Sequence, residues 1–238
     1  MSSLRYRRIL VKISGEAMQD ENSAISPSVL NFLVSEIKAA RELEVDVAVV
    51  VGGGNIVRGA MISEEIGINR VTGDYMGMLA TVINGMALRS ALHDAGVPAR
   101  LQTALRLEQV AAPYILEKAI RHLDKKRVVI FAGGTGNPYF TTDTAAALRA
   151  AEIGADALLK ATNVDGVYSA DPAKRKDAKR YQSLTMDEAI QQKLHIMDAT
   201  AFTLCRERHL PIHVFKLQRA GALLRILKNE DEGTLLTA

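Results

Sequence analysis

Three short segments place glycine and polar residues at the ends of apolar runs: Lys12-Ile13-Ser14-Gly15, Gly52-Gly53-Gly54 and Gly133-Gly134-Thr135-Gly136. Glycine lets a backbone approach an anion closely, and successive N–H groups or a helix terminus can cradle phosphate oxygens. Lys12 interrupts an otherwise apolar run just before Ser14-Gly15. An unpaired ammonium is costly there, so Lys12 is expected to reach an anion or a carboxylate. Arg58, six residues beyond Gly52, is a multidentate donor for phosphate. Asp74, Asp143, Asp165, Asp171 and Asp198 stand near expected loops or helix starts. Asp143 and Asp198 suit either helix N-caps or the organisation of charge around a reacting centre, coordination of Mg²⁺ included, and spacing alone does not choose. Such a set fits phosphoryl transfer, which needs placed donors and neutralising cations more than covalent chemistry. An acceptor that is already an anionic phosphate needs no strong base.

Thr135, Asn137, Thr141 and Thr142 either read a polar nucleobase or satisfy only their own turn. The later run Thr162-Asn163-Val164-Asp165-Gly166-Val167-Tyr168 is suited to surround a second nucleotide, with Tyr168 against an adenine. Other chemistries find less support. G-x-x-x-x-G-K-[ST], G-x-G-x-x-G and H-E-x-x-H are all absent, as is the G-x-S-x-G context around Ser14. His209 and His213 are four apart, but Pro211 breaks the helix that would align them. Cys205 reads as a buried, inert thiol. The segment 174–180 carries five basic residues in seven, yet with no recognisable reading module it reads as a solvated loop.

These residues need elements to hold them. Strands are expected at 8–13, 45–51, 97–101, 127–132, 157–160 and 212–215, rich in β-branched residues and bounded by turns. Ser26-Pro27 opens a helix to about Glu42, with Leu30, Leu33, Val34, Ile37 and Ala40 on its inner stripe. Helices are also expected over 74–95, where Leu79, Val82, Ile83, Met86 and Leu88 face a core. Others fall at 107–121 (redirected near Pro113), 143–153, 186–192, 198–208 and 220–227. Strands alternating with helices imply right-handed crossovers and an α/β fold: a three-layer αβα sandwich on a mostly parallel sheet. The ligand loops then gather beyond the carboxyl ends of the strands.

A chain of 238 residues suits one domain, here expected to comprise two lobes meeting near Thr142. One cysteine excludes a disulfide scaffold and favours a reducing compartment. A net charge of +3 is too small to imply nucleic acid, and 5% aromatic content without tryptophan leaves little for base-stacking platforms. No apolar run approaches the ~20 residues of a membrane helix, nor does the N-terminus resemble a signal peptide. A cytoplasmic protein with no membrane or nucleic-acid partner is the expectation.

Lys12-Ile13-Ser14-Gly15-Glu16-Ala17 closely resembles the opening motif of the bacterial uridylate (UMP) kinases, within the amino-acid-kinase fold family. The resemblance continues in order through Gly52-Gly53-Gly54-Asn55, Arg58-Gly59, Asn69-Arg70-Val71 and the run 73–80. It takes in 134–143, 160–168, Asp171-Pro172, Met197-Asp198 and Glu232-Gly233-Thr234, and so covers essentially the whole chain. It implies phosphorylation of UMP to UDP by ATP, with Mg²⁺ held mainly through the ATP phosphates. Lys12, Ile13, Ser14, Gly15, Gly54 and Arg58 correspond to positions near the ATP phosphates. Thr162, Asn163, Tyr168 and Asp171 correspond to the ATP nucleoside side. The UMP side is Gly53, Asp74, Thr135, Gly136, Asn137, Pro138, Tyr139, Phe140, Thr141 and Thr142. Lys12, Arg58, Asp143 and Asp198 form the implied catalytic set, and the lobes become an N-terminal acceptor-binding and a C-terminal ATP-nucleoside-binding half. The resemblance also implies a homohexamer built from dimers, inhibition by UTP and control by GTP. Here the chain departs from relatives under GTP control. Their glycine-rich, aromatic-containing segment is replaced by Asp20-Glu21-Asn22-Ser23-Ala24-Ile25-Ser26, so a weak GTP effect is expected. Two alternatives stand beside this reading: a related kinase for a carboxylate, carbamate or amino acid, and a nucleotide sensor or nucleic-acid regulator on a retained kinase fold.

Overall fold

Along strand β1 (Arg8–Ile13), Ile9, Val11 and Ile13 enter one hydrophobic core and Leu10 enters another on the opposite side. Successive strand residues point to opposite faces, so this alternation means that the strand is covered on both. The computed structural model describes residues 4–57, 67–170, 172, 174, 175 and 177–238. Arg58, Asp171 and Lys176 lie outside the described residues.

The other strands are β2 (Asp46–Val51), β3 (Ala99–Thr103), β4 (Ala112–Pro113), β5 (Val128–Ala132), β6 (Ala157–Thr162), β7 (Ser183–Thr185), β8 (Ile212–Lys216) and β9 (Thr234–Thr237). They form one sheet in the order β4-β3-β5-β2-β1-β6-β8-β9-β7. Among the described residues the pairings between these strands are parallel except β8–β9, which is antiparallel. Helices α1 (Pro27–Glu42), α2 (Arg70–Asp94) and α7 (Ala222–Leu227) cover the face of Ile9 and Val11. The face of Leu10 is covered by α3 (Leu116–Asp124), α4 (Thr142–Glu152), α5 (Met186–Gln191) and α6 (Ala199–Glu207). The expected three-layer, mostly parallel arrangement is what the chain adopts.

Local chemistry sets the helix starts. Ser26 caps α1 by accepting from the Val29 N–H, with Pro27 at the first helical position. Thr185 and Glu188 form a reciprocal capping box on α5. Leu33, Val34, Ile37 and Ala40 are buried as their spacing predicts.

Several expectations need correction. Val82 and Leu88 of α2 are buried, but Leu79, Ile83 and Met86 are exposed, being on the other side of this 25-residue helix. No break occurs within a helix at Pro113. That residue sits in β4 at the sheet edge, where the missing N–H is tolerated, and α3 begins only at Leu116. Strand β3 begins at Ala99 rather than Val97, and α7 at Ala222 rather than Ala220. Strands β4, β7 and β9 go beyond the expected set; each has four residues or fewer, with β4 and β7 at the two sheet edges and β9 next to β7.

Candidate active site

Lys12 and Lys160 are direct register partners on the adjacent parallel strands β1 and β6. Both reach Asp143, in the first turn of α4: Lys12 Nζ is 2.9 Å from Oδ1 and Lys160 Nζ 2.7 Å from Oδ2. The three side chains are only 11%, 15% and 13% exposed for Lys12, Lys160 and Asp143. Burial penalises the Asp143 carboxylate, but Lys12 and Lys160 outweigh it and hold its pKa below the ordinary value. Burial lowers the pKa of Lys160, and Asp143 opposes that effect. Lys160 also donates to the Ile196 carbonyl.

A second carboxylate ties two helix starts together. Asp198 is the N-cap of α6 and accepts from the Ala201 N–H at 2.9 Å. It also accepts from the hydroxyls of Thr141 and Thr144. Thr141 is itself the N-cap of α4, accepting from the N–H groups of Asp143 and Thr144. The cap reading therefore holds for Asp198 and fails for Asp143, because Thr141 already occupies the capping position. Cys205 is buried near both carboxylates, and burial first pushes its pKa up to about 12, which leaves an inert thiol.

The glycine loops after β1 and β2 press against each other. A Cβ on Gly15 would lie 2.4 Å from the Gly54 nitrogen, and one on Gly52 2.5 Å from the Gly15 nitrogen. No side chain fits at either place. Buried Asn84 of α2 supports this junction, donating to the Gly52 carbonyl at 2.7 Å and pairing amide to amide with Asn55. Ser14 precedes a short 3₁₀ turn, Gly15–Met18, while the Ile13 side chain is turned into the core.

Beside these loops a cleft of about 220 Å³ is lined by Gly53, Gly54, Asp74, Thr135, Asn137, Phe140, Thr141 and Thr142, together with Arg70 and Thr81. Asp74 accepts from Arg70 Nε at 2.9 and 3.0 Å and from the Tyr139 N–H at 2.8 Å, which ties α2 to the following loop. Thr81 accepts from the Gly133 N–H at 2.7 Å. Thr135 and Asn137 engage each other's backbone and still line the cleft. Gly136, Pro138 and Tyr139 lie outside this lining. A second cleft, about 640 Å³, is lined by Lys160, Thr162, Val164, Tyr168, Leu194 and Ile196 among others. Tyr168 donates to Asp165 at 2.7 Å, and that hydrogen bond is the main cause of its raised pKa. Asn163 faces a neighbouring cleft with Lys216, Gln218 and Arg219.

The fold thus brings Lys12, Asp143 and Asp198 together, with the Thr135–Thr142 segment on one side and Thr162 with Tyr168 on the other. The sequence reading overlooked Lys160, Asn84, Thr81 and Arg70. Lys160 carried the same signal as Lys12, a lysine interrupting an apolar strand, whereas Asn84 and Thr81 look like ordinary polar positions of an amphipathic helix.

Residues 7–216 match the amino acid kinase family. The chain is similar to the crystal structure of UMP kinase from Bacillus anthracis, with TM-score 0.94 and 40% identity over 98% of this chain and 96% of that one. It is also similar to UMP kinase from Ureaplasma parvum, with TM-score 0.93 and 37% identity over 98% and 100%. Uridylate kinase from Archaeoglobus fulgidus aligns with TM-score 0.76 and 27% identity over 96% and 99%. The chain belongs to the amino acid kinase family.

Proposed function

We propose that this protein is an ATP-dependent UMP kinase, converting ATP and UMP to ADP and UDP for pyrimidine nucleotide biosynthesis in the cytoplasm. The observation that carries the reading is near-full-length similarity to two bacterial UMP kinases at 40% and 37% identity. The two clefts flanking the Lys12–Asp143–Lys160 cluster support it.

In this reading the cleft of Gly53, Asp74 and Thr135–Thr142 takes UMP, and the cleft of Thr162 and Tyr168 takes the ATP nucleoside. These correspond to an N-terminal acceptor lobe and a C-terminal donor lobe. An oxygen of the UMP phosphate attacks the γ-phosphorus in line. The bond from that phosphorus to the bridging oxygen breaks, and ADP leaves with the electron pair. The acceptor oxygen is already anionic, so no protein base and no phosphoenzyme are required. Lys12 and Arg58 stabilise the charge on the transferring group, while Asp143 and Asp198 hold the cations and helix ends in place. The carboxylates suit a Mg²⁺ carried mainly by ATP. Asp143 is engaged by two ammonium groups and Asp198 by hydroxyls and an N–H, and among the described residues no group of three or more His, Cys, Asp or Glu could hold a metal. When bound, Mg²⁺ would neutralise charge along the phosphates, with Asp143 and Asp198 as the carboxylates for its hydration shell.

A homohexamer built from dimers is part of the same reading. It is supported by Tyr75, Leu79, Ile83 and Met86, which expose an apolar stripe along one side of α2. UTP, sharing the uracil, is proposed to compete with UMP, and GTP to act weakly. The deciding experiment is an acceptor screen with Mg-ATP. UMP should support far higher turnover than CMP, aspartate, glutamate or carbamate. Phosphorylation of an amino acid with UMP inert would overturn the assignment.

A further inference from the structure

We propose that Lys160 is a positioning residue for phosphoryl transfer, the cation that stays on Asp143 when Lys12 turns toward the transferring group. The inference rests on reading this site as a phosphotransfer centre.

Lys12 and Lys160 stand side by side on adjacent strands, and each takes a different oxygen of one carboxylate. Lys160 is further anchored by the Ile196 carbonyl, which belongs to the segment leading into α6. It is also part of the wall of the donor-side cleft, while Thr141 and Thr142, next to Asp143, line the acceptor-side cleft. The cluster therefore lies between the two clefts.

A buried carboxylate cannot surrender its only cation cheaply, because an uncompensated buried charge is left behind. A structural ion pair needs one lysine. Two lysines on separate oxygens let one depart while the other still balances Asp143. Asp198 adds a weaker attraction to Lys160 than Asp143 does, and its own hydrogen bonds go to Thr141, Thr144 and the Ala201 N–H rather than to a lysine. The anchoring of Lys160 from two elements makes it the one that stays. Without Lys160, Asp143 would hold Lys12 back, and the loss would fall on the chemical step rather than on binding.

The test is a double-mutant cycle in the full chain with Lys12→Met, Lys160→Met and the double variant. Steady-state kinetics with UMP and Mg-ATP are measured alongside ATP titrations and thermal melting. Lys160→Met should lower kcat by about 10²-fold, with UMP KM and ATP Kd within about threefold. The double variant should be little worse than the poorer single one, because residues acting as a unit are not additive. Lys160→Gln, which retains a donor for the Ile196 carbonyl without the charge, should match Lys160→Met and takes its place if that variant fails to fold. Wild-type-like kcat in the neutral variants, a loss confined to ATP affinity, or multiplicative effects in the double variant would overturn the proposal. A wrong substrate assignment looks different: the wild type itself then forms no ADP in response to UMP.

Discussion

Asp198 and Thr141, each the N-cap of its own helix, are hydrogen-bonded to one another. The starts of α4 and α6 are thereby locked together, and Asp143 is delivered from the first turn of α4 to the two lysines. Replacing Asp198 by Ala removes a cap and leaves the Thr141 and Thr144 hydroxyls without their acceptor. The expected cost is about 1–3 kcal/mol, read from urea unfolding. Asp198→Asn keeps a competent cap and should cost clearly less. Equal losses in the two variants would show that the cap is not what Asp198 contributes.

Lys12→Ala and Arg58→Ala should each lower kcat by about 10²-fold or more, if their contacts strengthen in the transition state. Unchanged steady-state kinetics in both would remove them from the catalytic set. Recovery of a stoichiometric phosphorylated side chain on the productive path would contradict direct transfer.

The acceptor-side residues should separate the two substrates. Thr135→Ala and Asn137→Ala are expected to weaken UMP use more than ATP binding, because both line the cleft proposed for UMP and not the one proposed for ATP, and a polar partner lost from a closed ligand site costs recognition of that ligand. Asp74→Asn should also impair UMP use, since Asp74 both lines the cleft and fixes the Tyr139 backbone. Separate titrations decide the matter, and a collapse of ATP affinity with UMP affinity intact would refute the division.

A pH effect is also expected from a residue outside the proposed catalytic set. His213 is buried on β8 with its Nε2 3.0 Å from the Tyr6 hydroxyl, and burial is the main cause pushing its pKa down to about 3. A histidine held neutral in the folded chain contributes its stability fully above the unfolded value near 6.5. That contribution is lost progressively as pH falls toward 3. Unfolding free energy should drop between pH 7 and 5 with a slope approaching about 1.4 kcal/mol per unit. His213→Gln should flatten that slope even if it lowers stability throughout. An unaltered slope would show that other groups carry it.

The local signals in the chain were sufficient for most elements. Ser26-Pro27 starts α1, the apolar run after Val45 forms β2, and Asp198 caps α6, because capping and β-branched runs act over a few residues. The polar residues Lys12, Asp143 and Asp198 stood out because each interrupts such a pattern or marks a helix start. Other features depended on the assembled sheet. Lys160 became a partner of Lys12 only through the β1–β6 register, which brings together residues from opposite halves of the chain. Leu79, Ile83 and Met86 lie outside the core because one face of a helix can meet the sheet, and the orientation of α2 selects which. Asn84 and Thr81 gained their roles from the glycine turns that α2 packs against. Propensity and capping are short-range and legible in order along the chain. Register, facing and the sharing of one carboxylate by two lysines are set by long-range packing, which no single segment encodes.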